Sequence, residues 1–359
     1  MRYRKLENTD LYVSEIGFGT IPILRGNVPV LPNYYNCSDD EAIEIMEYAY
    51  NLGCNIYDTA IVPEYGDAEI KLGKFAKKIG REKIIISDKA RFFKGNEIYN
   101  AVYDSIKNLD TYPDIYFIHQ VDLKNMNEVF KDGGAIDALL ELKKEKKLKY
   151  IGIASHYYEV LLKAAYDDRV DILQGSGNIL ERGMLERIEQ DSIFRKKGFL
   201  LNKVYAAGIL TNFFDTKDLI NGVLTYPIST ALIGFGNKNE IDSAFKYEKY
   251  NNYERKTFDS VINSLNMIFE PIYCNRCQKC KCDYGTEIHI LFRQYNYYFL
   301  GKDYWALRKL NISIKESANN CRNCLSLNCI FLCPFNLKIP DIIQKIENLT
   351  KKYIRNSII

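Results

Sequence analysis

Eight of the ten cysteines in this chain fall in its last third, in two tight runs. The first is Cys274, Cys277, Cys280 and Cys282, in YCNRCQKCKCDYG. The second is Cys321, Cys324, Cys329 and Cys333, in CRNCLSLNCIFLCP. Four thiolates plus four, the second run closed by Cys-Pro, are a ligand set for two iron–sulfur clusters. A cluster moves single electrons, so this spacing points to redox chemistry. A second set of chemical groups stands far upstream. Asp58, Lys89 and His119 each end a short apolar run, in IYDTA, ISDKA and YFIHQ, and Tyr65 follows Asp58 in PEYGDAE. An Asp, a Lys and a His directed into one interior are costly as packing unless they pair. That cost argues for a shared polar site able to hold and move a proton.

A bacterial two-cluster run reads C-x2-C-x2-C-x3-C-P, and its last cysteine ligates the other cluster. The first run here is C-x2-C-x2-C-x1-C and the second C-x2-C-x4-C-x3-C-P. By the crossed rule, Cys274, Cys277, Cys280 and Cys333 hold one cluster, and Cys321, Cys324, Cys329 and Cys282 the other. Cys282, in the shortened run, is the least regular ligand. Zinc in tetrahedral all-cysteine sites is the alternative. The remaining cysteines, Cys37 and Cys54, stand apart and read as ordinary core or loop residues.

The elements that must position these groups follow a period. Strand candidates occupy 14–20, 55–60, 83–90, 114–120, 149–155, 171–177, 198–205 and 229–236. Helical patterns fill the intervals at 39–53, 66–80, 97–109, 135–146 and 157–167. The strands are apolar on both faces, as a buried parallel sheet requires. Eight such units over ~250 residues predict an α/β fold, a (β/α)8 TIM barrel, with catalytic groups at the C-terminal ends of its strands. A doubly wound open sheet is the rival, disfavoured because no G-x-G-x-x-G follows an early strand. The opening segment alternates as a hairpin that would plug the barrel floor. After residue 265 the pattern changes: an aromatic helical stretch (288–310) lies between the cysteine runs and a basic helical tail (341–356) follows. The expected division is a barrel over 1–268 and a small, mostly α-helical, ferredoxin-type domain over 269–359.

The upstream motifs resemble those of the aldo/keto reductases. YRKLENTDLYVSEIGFGT is similar to that family's first hairpin and strand, and DTA…YGDAE…LG to its second strand and following helix. REKIIISDK, PDIYFIH, IGIAS and VDILQGSGN resemble its third to sixth strands. The cysteine tail, and GFLLNKVYAAGIL as a seventh strand, resemble a branch carrying a C-terminal module with two [4Fe-4S] clusters. The resemblance implies a catalytic tetrad of Asp58, Tyr65, Lys89 and His119, with Tyr65 as general acid/base for carbonyl/alcohol interconversion. Lys89 would lower the tyrosine's pKa, Asp58 would balance Lys89, and His119 would orient the carbonyl. Tyr65 stands seven residues after Asp58, two more than the family spacing, with Pro63 in the longer loop. Strand alternation directs the neighbouring Tyr57 away from the Asp58 face.

The resemblance also implies NADP(H), with NAD possible. Ser155, Gln174 and Asn178 would hold the nicotinamide carboxamide, with Lys203 in the matching place on the seventh strand. Gly234 and Gly236 would cradle the phosphates, and Lys238 would meet a 2′-phosphate. His156 replaces the family's usual Asn, and His289 reads as structural.

Composition sets the remaining bounds. The chain has 359 residues, 47% apolar and 26% charged, with a net charge of +3 and signs interspersed. Nothing suggests a nucleic-acid stripe, a spanning helix or a signal core, so a cytoplasmic protein is expected. The partners implied are a small carbonyl or alcohol substrate and a ferredoxin-like electron partner. The rival reading is a non-enzymatic redox-sensing or electron-transfer module in which the barrel only binds nucleotide.

Overall fold

A computed structural model describes residues 1–26, 36–246, 255–268, 270–274, 279–301 and 304–356. The chain opens with a hairpin, β1 (Tyr3–Lys5) and β2 (Tyr12–Ser14). Eight strands follow: β3 (Ile16–Gly19), β4 (Ile56–Asp58), β5 (Ile85–Ala90), β6 (Ile115–Ile118), β7 (Tyr150–Ala154), β8 (Ile172–Ser176), β9 (Gly198–Asn202) and β10 (Thr230–Gly234). They are parallel and close into a barrel in sequence order, β10 pairing with β3. All eight lie inside the ranges expected from the apolar runs.

The helices interleave. They are α1 (Asp39–Asn51), α2 (Ala68–Ile79), α3 (Gly95–Leu109), α4 (Met126–Phe130), α5 (Ala135–Lys144), α6 (Tyr158–Tyr166), α7 (Gly183–Gln190), α8 (Thr216–Leu224) and α9 (Lys238–Phe245). Ser38 starts α1 with a reciprocal capping box to Glu41, two orphan helix-end donors satisfied at once. The outer core lies between strands and helices. Tyr57 is fully buried there, stacked on Phe18 and close to Phe75, with its hydroxyl donating to the Met46 carbonyl at 2.9 Å. Its neighbour Asp58 therefore faces the barrel interior, as strand alternation requires.

The hairpin closes the floor. Leu6 and Val13 are fully buried in one cluster with Ile56, Ile115, Ile172 and Leu200 of the barrel. Gly198 makes room, since a Cβ there would come within 2.4 Å of Leu6 Cδ1. Arg4 fixes the hairpin, pairing with Glu15 at 2.7 Å and donating to the carbonyls of Leu224 and Ile228. With the N-terminal end plugged, access to the interior is from the C-terminal strand ends.

Beyond the barrel come α10 (Arg255–Ile268), α11 (Ile288–Gly301), α12 (Tyr304–Arg322), a short α13 (Asn328–Phe331) and α14 (Ile339–Asn356). The expected helical character is present. Ile288, Phe292, Leu310, Ile314, Ile343 and Ile346 form a second core that also holds Cys329 and Cys333. The division near residue 268 is not a clean packing boundary: Tyr297, Tyr298 and Leu300 of α11 belong to the barrel's own core cluster. Among the described residues no helix is long and apolar enough to cross a membrane.

One interior position tests this packing. Gly152 on β7 lies opposite Phe117 on β6, and a Cβ there would fall 2.2 Å from the Phe117 ring. Gly152→Ala is expected to lower unfolding stability in urea by about 1–3 kcal/mol, the usual cost of overpacking, and Phe117→Leu in the same chain to recover part of it.

Candidate active site

The centre of the site is a buried ion pair. Lys89 Nζ donates to Asp58 Oδ2 at 2.5 Å and to the Thr59 carbonyl at 2.7 Å. Ser87 Oγ and Gln174 Nε2 donate to Asp58 Oδ1 at 2.7 and 3.1 Å. Every oxygen of the carboxylate is thereby satisfied, which a buried charge requires. Three strands contribute: β4 supplies Asp58, β5 supplies Ser87 and Lys89, and β8 supplies Gln174. Ser87 and Lys89 are two apart on one strand and so share a face. That alternation was the available signal for Ser87, which the motif reading missed. Burial disfavours the ammonium, but Asp58 and the nearby Tyr65 outweigh it and hold Lys89 above the usual lysine range, hence charged.

Tyr65 reaches this pair despite its longer loop. The extra residues fold into a 3-10 turn, Pro63–Tyr65, in which Tyr65 N–H donates to the Val62 carbonyl at 2.9 Å. Gly66 follows at φ +52°, a conformation that favours glycine. Glu64 pairs with Arg91, just past β5, at 2.9 Å and pins the turn. Lys89 Nζ lies 5.1 Å from the centroid of the Tyr65 ring. The expectation that Lys89 would lower the tyrosine's pKa needs correction. The ammonium does pull it down, but burial outweighs that pull and the phenol sits above its ordinary value. Tyr65 is held as the protonated acid.

His119 follows β6 at the same end. Burial, then the positive charges of Lys89, Arg91 and Lys203, hold its pKa well below the ordinary histidine value. The imidazole is neutral, and its Nδ1 is buried with no hydrogen-bond partner among the described residues. A neutral ring with an unused nitrogen, close enough to Lys89 to feel its charge, suits a polar ligand oxygen.

The expected cofactor residues divide by what they already bond. Gln174 is fully buried, tethered to Asp58 through its amide nitrogen, and its Oε1 has no donor among the described residues. That oxygen fits the amide hydrogens of a nicotinamide carboxamide. Ser155 Oγ donates to the Val121 carbonyl at 2.6 Å and accepts from Tyr157 N–H at 2.9 Å. Asn178 is spent on backbone: Oδ1 accepts from Leu180 and Glu181 N–H, and Nδ2 donates to the Lys203 carbonyl at 3.1 Å. It organises the loop after β8. Lys203 has φ +61° and donates to His156 Nε2 at 3.3 Å, while His156 Nδ1 meets Ser176 Oγ at 3.0 Å. At the end of β10, Gly234 is exposed and Gly236 N–H donates to Glu240 at 2.7 Å. Lys238 pairs with Glu44 at 3.2 Å. A phosphate in this turn would have to displace both carboxylates.

The cysteines also divide. Cys282, Cys321, Cys324 and Cys329, from both runs, line one small surface cleft. Burial first, then the three neighbouring thiols, pushes the Cys321 pKa up to about 11. Cys274, Cys280 and Cys333 pack on the second core, and Cys277 lies outside the described residues. Cys37, Cys54, Cys282, Cys321, Cys324, Cys329 and Cys333 are free thiols. Among the described residues no three His, Cys, Asp or Glu are grouped closely enough to hold a metal ion. Cys54 is a core residue, buried against the Ile16 and Ile56 carbonyls, its thiol pushed up to about 12 by burial.

With this geometry in hand, comparison with known proteins is informative. Residues 15–218 match the sequence model of the aldo/keto reductase family. An aldo-keto reductase of Gibberella moniliformis is 32% identical over 193 residues, 50% of this chain and 54% of its own. The L-galactose dehydrogenase of Arabidopsis thaliana is 30% identical, over 42% of this chain and 47% of its own. The NADH-specific methylglyoxal reductase of Escherichia coli is 26% identical, over 62% and 72%. The chain thus spans about half the length of the first two relatives. In fold, it is similar to an aldo-keto reductase from Bacillus halodurans in its holo form, with a TM-score of 0.62, 21% identity, and coverage of 73% of this chain and 96% of that one.

Behind Lys89 lies a further carboxyl pair. Asp88 points to the outer side of β5, where its Oδ1 accepts from Lys89 N–H at 2.7 Å. Its neighbour Glu69, on α2, accepts from Asn108 at 2.8 Å. The remaining oxygens, Asp88 Oδ2 and Glu69 Oε1, are buried without a donor. Burial, then Glu69, raises the Asp88 pKa well above the ordinary aspartate value, so Asp88 carries a proton. A raised carboxyl pKa contributes stability at low pH that is lost as pH climbs through the folded value. Asp88→Asn keeps the acceptor for Lys89 and a donor for Glu69 but cannot ionise. Urea unfolding should show little change near pH 3, below the unfolded aspartate value of about 3.9, and above it a gain over the wild type that grows with pH, by at most about 1.4 kcal/mol per pH unit. A gap independent of pH would remove the Asp88 proton from the account.

Proposed function

The chain belongs to the aldo/keto reductase family, and from that premise we propose that it is an oxidoreductase interconverting a small carbonyl compound and its alcohol with a nicotinamide nucleotide. The observation that carries this reading is the buried Asp58–Lys89 pair beside a protonated Tyr65 and a neutral His119. The nucleotide, when bound, supplies or accepts a hydride at the carbonyl carbon. The chain's own groups handle the oxygen and its proton. Tyr65 gives its phenolic proton to the oxygen as the hydride arrives at carbon, and takes it back in the reverse direction. Lys89, kept charged by Asp58, stabilises the phenolate left behind. His119 donates a hydrogen bond to the same oxygen. Gln174 Oε1 accepts from the carboxamide, which ties cofactor placement to the Asp58 carboxylate that Gln174 also touches. Both NADH and NADPH remain candidates, because Lys238, the residue expected at a 2′-phosphate, is paired with Glu44. Two relatives are named for methylglyoxal reduction and L-galactose oxidation, so 2-oxoaldehydes and aldoses open the substrate panel.

The cysteine segment, on this reading, would hold two [4Fe-4S] clusters, which would supply single-electron transfer with a ferredoxin-like partner or stabilise the fold. Its support is the shared cleft of Cys282, Cys321, Cys324 and Cys329, the crossed set expected from spacing. Cys274, Cys280 and Cys333, with Cys277, would hold the other.

Tyr65→Phe should cut NAD(P)H-dependent carbonyl reduction by about 10²–10⁴-fold while leaving nucleotide binding, followed by fluorescence, near that of the wild type. A variant at full rate would overturn the assignment. Anaerobically purified protein should contain iron and labile sulfide in equal amounts. Cys282→Ser should lose the share of one cluster and keep that of the other, and unchanged iron would remove Cys282 from the ligand set.

A further inference from the structure

One helix of the cysteine-bearing segment is built into the mouth of the barrel. Near its N-terminus, the His289 ring meets Tyr157 edge-on, with centroids 5.8 Å apart, and Tyr157 N–H is the donor to Ser155 Oγ. One turn on, Arg293 Nε lies 3.3 Å from Glu181 Oε1, with side chains only 18% and 5% exposed. The guanidinium is braced from its own helix, 4.7 Å from the Tyr297 ring centroid and donating to its hydroxyl at 3.2 Å. At the far end Tyr298 and Leu300 enter the barrel core, and Gly301 is seated so closely on Ile209 that a Cβ would approach within 2.6 Å.

Glu181 leads directly to the strand ends. Its N–H donates to both the Asn178 carbonyl and the Asn178 side chain, and Asn178 in turn donates to the carbonyl of Lys203. A single helix thus touches the loops after β7, β8 and β9. Those loops carry Ser155, Asn178 and Lys203, the residues on the nucleotide side of the proposed site.

We propose that α11 is a strut for nucleotide binding: Arg293, acting through Glu181 and Asn178, is a positioning residue that sets the backbone at Lys203. The barrel mouth and the cysteine segment then bind nucleotide as one cooperative unit. This rests on the nicotinamide-nucleotide reading above. Arg293 touches neither the nucleotide nor the reacting atoms. Its ion pair is buried, so removing one partner strands a charge, and the test needs a balanced variant.

The full chain is compared as wild type, Arg293→Gln, Arg293→Lys and the double Glu181→Gln/Arg293→Gln, in which no charge is stranded. Kd for NADPH and for NADH is measured by titration, with KM for both nucleotide and aldehyde. The nucleotide Kd and KM should rise about tenfold in Arg293→Gln and in the double variant, a typical coupling between linked sites. KM for the aldehyde should stay put, and Arg293→Lys should recover part of the loss. Coupling is reciprocal, so nucleotide should slow amide hydrogen exchange over 288–301 in the wild type and lose that effect in the double variant. Equal Kd in the wild type and the double variant, or no change in exchange over 288–301, overturns the strut alone. Failure of the wild type to bind either nucleotide overturns the cofactor reading and the strut with it.

Discussion

The chemistry of this site depends on the salt bridge between Asp58 and Lys89. Two charges taken out of water need each other and need every remaining lone pair and proton satisfied. Here Ser87 and Gln174 complete the aspartate and the Thr59 carbonyl completes the lysine. The requirement fixes more than two side chains. It demands that β4, β5 and β8 hold their register, since a shift by one residue turns Asp58 outward and Tyr57 inward. It also sets the charge beside Tyr65. Removing either partner of such a pair typically costs about 3–5 kcal/mol, so the arrangement cannot relax quietly into another.

Around that pair the site is biased toward fixed protonation states. Burial keeps Tyr65 protonated against the pull of Lys89, and burial with three nearby cations keeps His119 neutral. Asp88, on the outer side of β5, is also held protonated, while on the inner side Asp58 pairs with Lys89. An acid ready to donate and a ring ready to hydrogen-bond are what carbonyl reduction asks of a protein. The barrel divides the labour in space. The hairpin and Arg4 seal the floor at the N-terminal strand ends, and the reactive groups gather at the other end.

The second segment is not an appendage hung from a linker. Its own core contains Cys329 and Cys333, yet α11 is shared with the barrel through Tyr297, Tyr298 and Leu300. Packing on both cores means that order in one is felt in the other. Three of the four cysteines of one cleft come from α12, α13 and the coil between them, and Cys282 is brought in from the earlier run. Chain spacing could suggest that crossing, but only packing against the helices draws the runs together.

The sequence by itself determined the barrel. Eight runs apolar on both faces have few ways to bury themselves, and a closed parallel sheet with helices outside is the one their lengths allow. It also marked Asp58, Lys89 and His119, because charged and polar residues ending apolar strands are too costly to be incidental. Tertiary structure decided what spacing could not express. Whether Tyr65 reached the pair depended on a 3-10 turn and on Glu64 meeting Arg91. The direction of the tyrosine's pKa depended on burial against a lysine's charge, a balance no motif records. Asn178 proved to be bonded to backbone, and Glu69, Glu181 and Arg293 gained meaning only from partners 19, 112 and 112 residues away in the chain. Local sequence fixes periodicity and therefore elements. Contacts between distant residues, and the desolvation they impose, exist only once those elements have packed.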